Sequence, residues 1–211
     1  MDDRLGRVSR LHGGVLLFAL AIAWSSDRLR AWPLYLLVPL ALHGVIVCAV
    51  PSLRGSAEWL KAGTIDRTVL TFTLLLAVAA PAALLCFQRV FQPSLPNFRG
   101  QLPTIFWSHP LLGMLVFSAM NALLEEVVFR GVLQDALVSA LGLGAGVLVQ
   151  GVAFGLSHAA GYPPGAGGAV LAAIYGVLLG VLKIRSRGLA APIIAHFSAD
   201  ATIFLMVLRS G

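Results

Sequence analysis

The sequence predicts an all-α fold, a polytopic transmembrane helical bundle of about seven spans. Composition gives the first reason: of 211 residues, 58% are hydrophobic and 11% charged, against roughly 25% charged in a soluble domain, and mean hydropathy is +0.89. Patterning gives the second, because the apolar residues gather into seven runs separated by short polar breaks. The third is where the charge lies. The net charge of +6 comes from basic residues that sit mostly between the runs, where they act as topology signals and headgroup contacts rather than as a nucleic-acid surface. No polar stretch is long enough for a separate soluble core. The chain is read as one integral membrane domain, with N-terminal transmembrane helices over residues 1–102 and a second helical unit over 103–211 that holds the polar chemistry.

Met1–Arg10 carries Arg4, Arg7 and Arg10 ahead of the apolar run Leu11–Trp24. A basic start and a short apolar run also fit a signal peptide, but the rest of the chain is already membrane-embedded, so a retained first helix is expected. Pro33–Val50 and Thr68–Phe87 follow, each near the ~20 residues that cross a ~30 Å hydrocarbon core. Pro39 and Pro81 are expected to kink them. His43, alone on its run, is expected to be a buried, hydrogen-bonded packing residue. Cys48 and Cys86 form no CxxC pair and read as small buried hydrophobes. Gln88–His109, with Pro93, Pro96 and Pro103, is a polar connector between a front and a back half. Beyond it a long helix is expected from about Leu111 to Ala140, broken by the Gly142–Gly146 cluster, then a fifth run over Val147–His158. The glycine cluster lacks GxGxxG spacing and follows no strand, so it is not read as a phosphate cradle. The sixth run, Ala169–Leu182, carries Gly176 and Gly180 at the small-xxx-small spacing that lets helices approach closely, and the seventh is Leu189–Leu208. Seven spans put nine basic residues on the side of the N-terminus and five on the other, which favours a cytoplasmic N-terminus, here in a bacterial inner membrane. No internal repeat is evident, and this speaks against an inverted-repeat transporter.

The chemistry is concentrated in Asn121–Leu137, NALLEEVVFRGVLQDAL. A charged side chain at the middle of a bilayer costs roughly 2.5–3.5 kcal/mol on insertion scales, so two carboxylates and a guanidinium need partners or a function. Glu126 and Arg130 are i,i+4 neighbours and pair internally. Glu125 is the acid left over: it points about 100° away around the helix, on a face with Asn121 and Phe129, and its partner must come from elsewhere. Phe154 with His158, and His196 with Asp200, repeat the i,i+4 spacing on two later runs. Counted from the turn at Gly142, Glu125 and His158 both lie roughly 24–26 Å along their helices. His196 lies only about 12 Å past the basic turn Lys183–Arg187, so reaching the same level requires either tilt or a turn that dips into the membrane. A carboxylate with two imidazoles in a low-dielectric cavity suits general-base activation of water and hence peptide hydrolysis. Two alternatives stay open at this point: a structural hydrogen-bond cluster, and a zinc site, for which two histidines and a glutamate are a known ligand set although HExxH is absent.

These residues resemble the CPBP family, the CAAX protease and bacteriocin-processing proteins also called Abi, which are glutamic-type intramembrane endopeptidases. The resemblance covers about Leu111–Leu208 and rests on an ordered set: EExxxR (Glu125, Glu126, Arg130), FxxxH (Phe154, His158), a small-residue helix (Tyr175, Gly176, Gly180) and HxxxN/D (His196, Asp200). It implies a catalytic core in the C-terminal four helices, working without metal or other cofactor. Within it Glu125 and His158 activate water, His196 and Asp200 stabilise the oxyanion, and Glu126, Arg130, Phe154 and Asn121 support the site. Many members have asparagine where this chain has Asp200, and an ionised aspartate cannot donate to an oxyanion; either Asp200 is protonated or it orients His196. The implied activity is hydrolysis of a peptide bond near the C-terminus of a membrane-anchored or lipidated protein, of the CAAX, sorting-tag or bacteriocin-processing type. The rival class is a non-enzymatic membrane protein, an immunity or binding factor or a proton-coupled carrier. Expected partners are a membrane-anchored substrate and the bilayer, and no nucleic acid.

Overall fold

The computed structural model describes residues 3–26, 28–29, 31–54, 60–159 and 161–210, and among them the regular structure is all helical, with no strand. Each apolar run forms a helix. The first run extends backwards into α1 (Asp3–Trp24), and α2 (Leu34–Ala49) is followed by the short α3 (Pro51–Arg54). The third run is α4 (Arg67–Phe91), capped by Asp66, whose carboxylate accepts from the Val69 N–H at 2.8 Å. Both α2 and α4 continue without a break through Pro39 and Pro81. The connector holds two single-turn helices, α5 (Pro96–Arg99) and α6 (Ile105–Ser108).

In the back half α7 (Pro110–Glu126) runs into a π-helical segment, Val127–Leu133, and on into α8 (Gln134–Leu141). The break falls on Gly142 at φ +83, a conformation that suits glycine. Then come α9 (Leu143–Ser157), α10 (Gly165–Ser186) and α11 (Ala190–Arg209). Five stretches, α1 from Gly6, α4, Pro110–Leu141, α10 and α11, are long and apolar enough to cross a membrane, while α2 and α9 are shorter at 16 and 15 residues. Val78, Leu111 and Leu156 are each more than 65% exposed, the outward apolar face that lipid covers. The chain is an integral membrane protein.

Three packing arrangements set up the interior. α1 lies against α2 and α8, and Leu16, Ala19 and Ala23 on it are buried, so the first run is part of the bundle. α11 packs between α7 and α4. α9 and α10 pack most intimately, because glycines remove side chains where their backbones meet: a Cβ on Gly151 would lie 2.9 Å from the Val177 nitrogen, and one on Gly176 would lie 3.1 Å from the Gly151 Cα. This is the close approach expected of Gly176. Gly180 instead makes room for the buried amides of Gln134 and Gln150.

The turn after α10 is partly covered: Lys183, Ser186 and Leu189 are buried, while Arg185 and Arg187 are exposed. Residues 61–64 cover it through hydrogen bonds from Leu189 N to Lys61 O at 2.9 Å, Ala190 N to Ala62 O at 3.0 Å and Thr64 N to Ser186 O at 2.8 Å. Lys183 pairs with Asp135 across to α8. The start of α11 is thus held against residues 61–64.

His43 is buried and hydrogen-bonded as expected, with Nε2 3.1 Å from His12 Nδ1. His12 Nε2 lies 3.2 Å from Leu53 O, and since a carbonyl only accepts, His12 donates there and accepts from His43. The two cysteines depart from expectation. Cys48 and Cys86 are exposed, because each falls on the outward side of its helix, where lipid takes the place of a core.

Overpacking a tight contact costs typically ~1–3 kcal/mol. Gly151→Val should therefore lower the thermal unfolding temperature of the detergent-solubilised protein, whereas Gly144→Ala, whose Cβ meets nothing within 4 Å, should not.

Candidate active site

Three helices of the back half bring the expected residues together. α7 ends in Glu125 and Glu126, α9 ends one residue before His158, and α11 presents His196 and Asp200 on successive turns. Glu125, Glu126, Arg130, His196 and Asp200 are all at most 5% exposed.

The centre is an ionic chain. Arg130 Nη1 donates to Glu126 Oε1 at 2.7 Å, as the i,i+4 spacing predicts, and the same oxygen accepts from His196 Nδ1 at 2.7 Å. Arg130 also donates to Gly176 O at 3.4 Å and lies 4.1 Å above the Phe154 ring, so the guanidinium is held on three sides. Glu126 thus does what the sequence offered to Asp200: it fixes the imidazole of His196. With Nδ1 committed, His196 Nε2 faces Glu125 Oε2 at 3.6 Å and Asp200 Oδ1 at 3.8 Å.

His158 is fixed by the same device. Its Nδ1 is 2.8 Å from Phe154 O, which requires a donor, and its Nε2 then faces Glu125 Oε2 at 4.0 Å. The Phe154 ring supports both imidazoles, with centroids 4.4 Å from His158 and 5.7 Å from His196. Glu125 Oε2 is buried and has no hydrogen-bond partner among the described residues. The leftover acid of the sequence thus points one oxygen at two oriented imidazole nitrogens.

Its other oxygen is held by a residue that the sequence did not indicate. Tyr35, on α2, donates to Glu125 Oε1 at 3.1 Å and lies 3.3 Å from Asn121 Oδ1. Trp32 Nε1 also donates to Asn121 Oδ1, at 3.2 Å, and these donors orient the amide so that Nδ2 donates to Asp200 Oδ2 at 3.3 Å. An aromatic residue near a helix start reads as an ordinary interfacial residue, so neither Trp32 nor Tyr35 carries a sequence signal for this role. Asn121, by contrast, lies one turn before Glu125 on the same face, as expected.

Two cavities meet at the centre and share His158, Tyr162, Asp200 and Ile203. The larger, about 630 Å³, is lined by Trp24, Trp32, Tyr35, Gln101, Asn121 and Glu125 among others. The smaller, about 160 Å³, is apolar and lies between α4 and α10. Burial holds the Tyr162 hydroxyl, which donates to Gln88 Oε1 at 2.9 Å where they meet, up at about 12.

Residues 106–202 match the family model of the type II CAAX prenyl endopeptidase Rce1-like proteins. The chain carries an Rce1-like domain. The match spans α6 to most of α11 and includes every residue of the polar centre except Tyr35 and Trp32, consistent with the CPBP resemblance. No curated protein and no solved structure matches the chain. The matched stretch is similar to CAAX-type membrane proteases.

Removing one partner of a buried ion pair costs ~3–5 kcal/mol, while replacing both is far less harmful. Arg130→Met alone should therefore destabilise the protein severely, and Glu126→Gln combined with Arg130→Met should recover part of the loss; thermal unfolding in detergent of the single and double variants checks this.

Proposed function

We propose that the protein is a glutamic-type intramembrane endopeptidase that cuts a membrane-anchored or lipidated protein near its C-terminus. The observation that carries this reading is the position of Glu125 Oε2, 3.6 and 4.0 Å from two imidazole Nε2 atoms whose Nδ1 atoms are already committed. A water between Glu125 and His158 donates one proton to the carboxylate and the other to His158 Nε2, so its lone pair is free to attack a carbonyl carbon. Glu125 takes the proton as the C–O bond forms. The proton passes to the leaving amine as the C–N bond breaks, and the products are a carboxylic acid and a free amine.

His196 donates from Nε2 to the developing oxyanion when its ring carries both protons. Asp200 adds a second donor only in its protonated form, and otherwise its part is to anchor Asn121. Tyr35 is a positioning residue: by donating to Oε1 it turns Oε2 towards the water. Nine basic residues on the side of the N-terminus support a cytoplasmic N-terminus.

General acid–base catalysis contributes typically ~10²–10⁴-fold. In proteoliposomes supplied with lipidated and sorting-tag tail peptides, Glu125→Gln and His158→Ala should each cut cleavage by about that factor, with no effect of a chelator on the wild type. Equal cutting by wild type and variants would overturn the reading and leave a binding or carrier role. Loss on chelation alone would assign the same donor set to zinc, whose ligands it matches in kind.

A hydrogen bond to a charged group contributes ~1.5–3 kcal/mol. Tyr35→Phe should accordingly lower kcat roughly 10- to 100-fold with little change in KM, since the hydroxyl touches the base and not the substrate.

A further inference from the structure

We infer that the active site is served from the membrane face opposite the N-terminus, so that the tail it takes belongs to an exported membrane-anchored protein and not to one held in the cytoplasm. The inference rests on the protease reading and gives it a substrate class.

Contacts between segments define the two ends of the bundle. At the first, Arg10 Nη1 donates to Ser139 O at 3.3 Å, Ser139 Oγ to Gly6 O at 2.9 Å and Thr64 N to Ser186 O at 2.8 Å. This end gathers the start of α1, the end of α8 and the turn before α11. At the second, the Trp32 and Phe106 ring centroids lie 5.7 Å apart, those of Phe98 and Tyr162 lie 5.4 Å apart, and Arg99 Nη1 donates to Leu208 O at 3.4 Å. This end gathers the α1–α2 loop, the connector, the α9–α10 loop and the end of α11. Of the basic residues outside the membrane, nine fall at the first end and five at the second, the bias that keeps the first in the cytoplasm.

The larger cavity, about 630 Å³, lies between the polar centre and the second end. α1 lines it with Leu20 and Trp24 from its last turns, α2 with Tyr35 from its first, and the connector with Phe98 and Gln101. α11 contributes only from Asp200 onwards. Trp24 and Gln101 are exposed and mark the mouth, where a tryptophan suits the headgroup level. Among the described residues, none that lines the cavity comes from the first end. There the way to Glu125 is packed shut: Arg130, Gln134 and Gln150 are buried, and Leu179 and Leu182 of α10 close against Val69 of α4 and Ala191 and Ala195 of α11. A tail in the cytoplasm therefore meets the closed end. The tail of an exported protein left anchored at the outer face meets the open one.

The test expresses the full chain in a bacterial inner membrane and compares spheroplasts, which expose the outer face, with sealed inverted vesicles, which expose the cytoplasmic face. A library of acyl-anchored tail peptides with charged heads that cannot cross the bilayer is added to each, and Glu125→Gln membranes subtract cutting by host proteases. Cleavage should be found in spheroplasts and lost in sealed inverted vesicles, and detergent should restore it there. Independently of activity, a membrane-impermeant maleimide should label Gln101→Cys in spheroplasts and Arg187→Cys only in inverted vesicles, both combined with Cys48→Ser and Cys86→Ser. Cleavage by sealed inverted vesicles, or the reverse labelling, would overturn the sidedness and leave the protease reading standing. With the labelling as expected, an absence of Glu125-dependent cleavage from either face and in detergent would overturn the protease reading and the substrate class with it.

Discussion

The structure depends on one buried oxygen, Glu126 Oε1, which accepts from Arg130 and His196 at 2.7 Å each. Ions cannot be left unpaired in a region without water, and this shared contact allows several to be placed there together. It joins the π-helical segment to α11 and decides which nitrogen of His196 faces the cavity. The adjacent glutamates therefore have separate tasks. Glu126 is consumed in holding cations, and Glu125, a third of a turn away, keeps one oxygen without a partner among the described residues. Three carboxylates face one guanidinium, so neutrality of the cluster requires two protons held among Glu125, Glu126, Asp200, His158 and His196. A buried group of sites that must share protons is well suited to moving one between water and a leaving group.

The scaffold around that contact is built to bring backbones close. Glycines on α9 and α10 allow the helices to touch, which puts the Gly176 carbonyl within reach of Arg130 and the Phe154 ring under the guanidinium. Hydrogen bonds to residues 61–64 tie down the turn before α11 and fix where that helix begins. The π-helical segment follows directly after Glu126, and segments of this kind occur often at functional sites, where the altered turn re-aims side chains.

Much of this was legible in the sequence, and the limits have physical causes. Apolar run length located all seven long helices, and i,i+4 spacing gave the Glu126–Arg130 pair, because both are local properties of one segment. The convergence of Glu125, His158 and His196 followed from the ordered set of motifs and from the cost of burying an acid alone. Contacts between segments of unrelated sequence were not legible. Nothing in EExxxR says that Glu126 reaches His196 as well as Arg130, so the orientation of His196 was left to Asp200. The role of Tyr35 was equally hidden, since a tyrosine near a helix end has an ordinary reading at a membrane interface. The cysteines failed for a different reason: in a membrane protein an apolar position faces lipid as readily as core, so hydropathy does not predict burial.

The placement of Tyr35 bears on how the two halves of the chain cooperate. One hydroxyl proton lies between two acceptors, Glu125 Oε1 at 3.1 Å and Asn121 Oδ1 at 3.3 Å, and it serves only one at a time. When it is on Glu125, Trp32 still satisfies Asn121, so the amide keeps its hold on Asp200. When it turns to Asn121, Glu125 Oε1 loses that donor. α2, outside the matched stretch, therefore does more than complete the bundle: through a single rotatable O–H it contacts either Glu125 or Asn121, so a shift of α2 would be felt at Glu125 without any change in the back half.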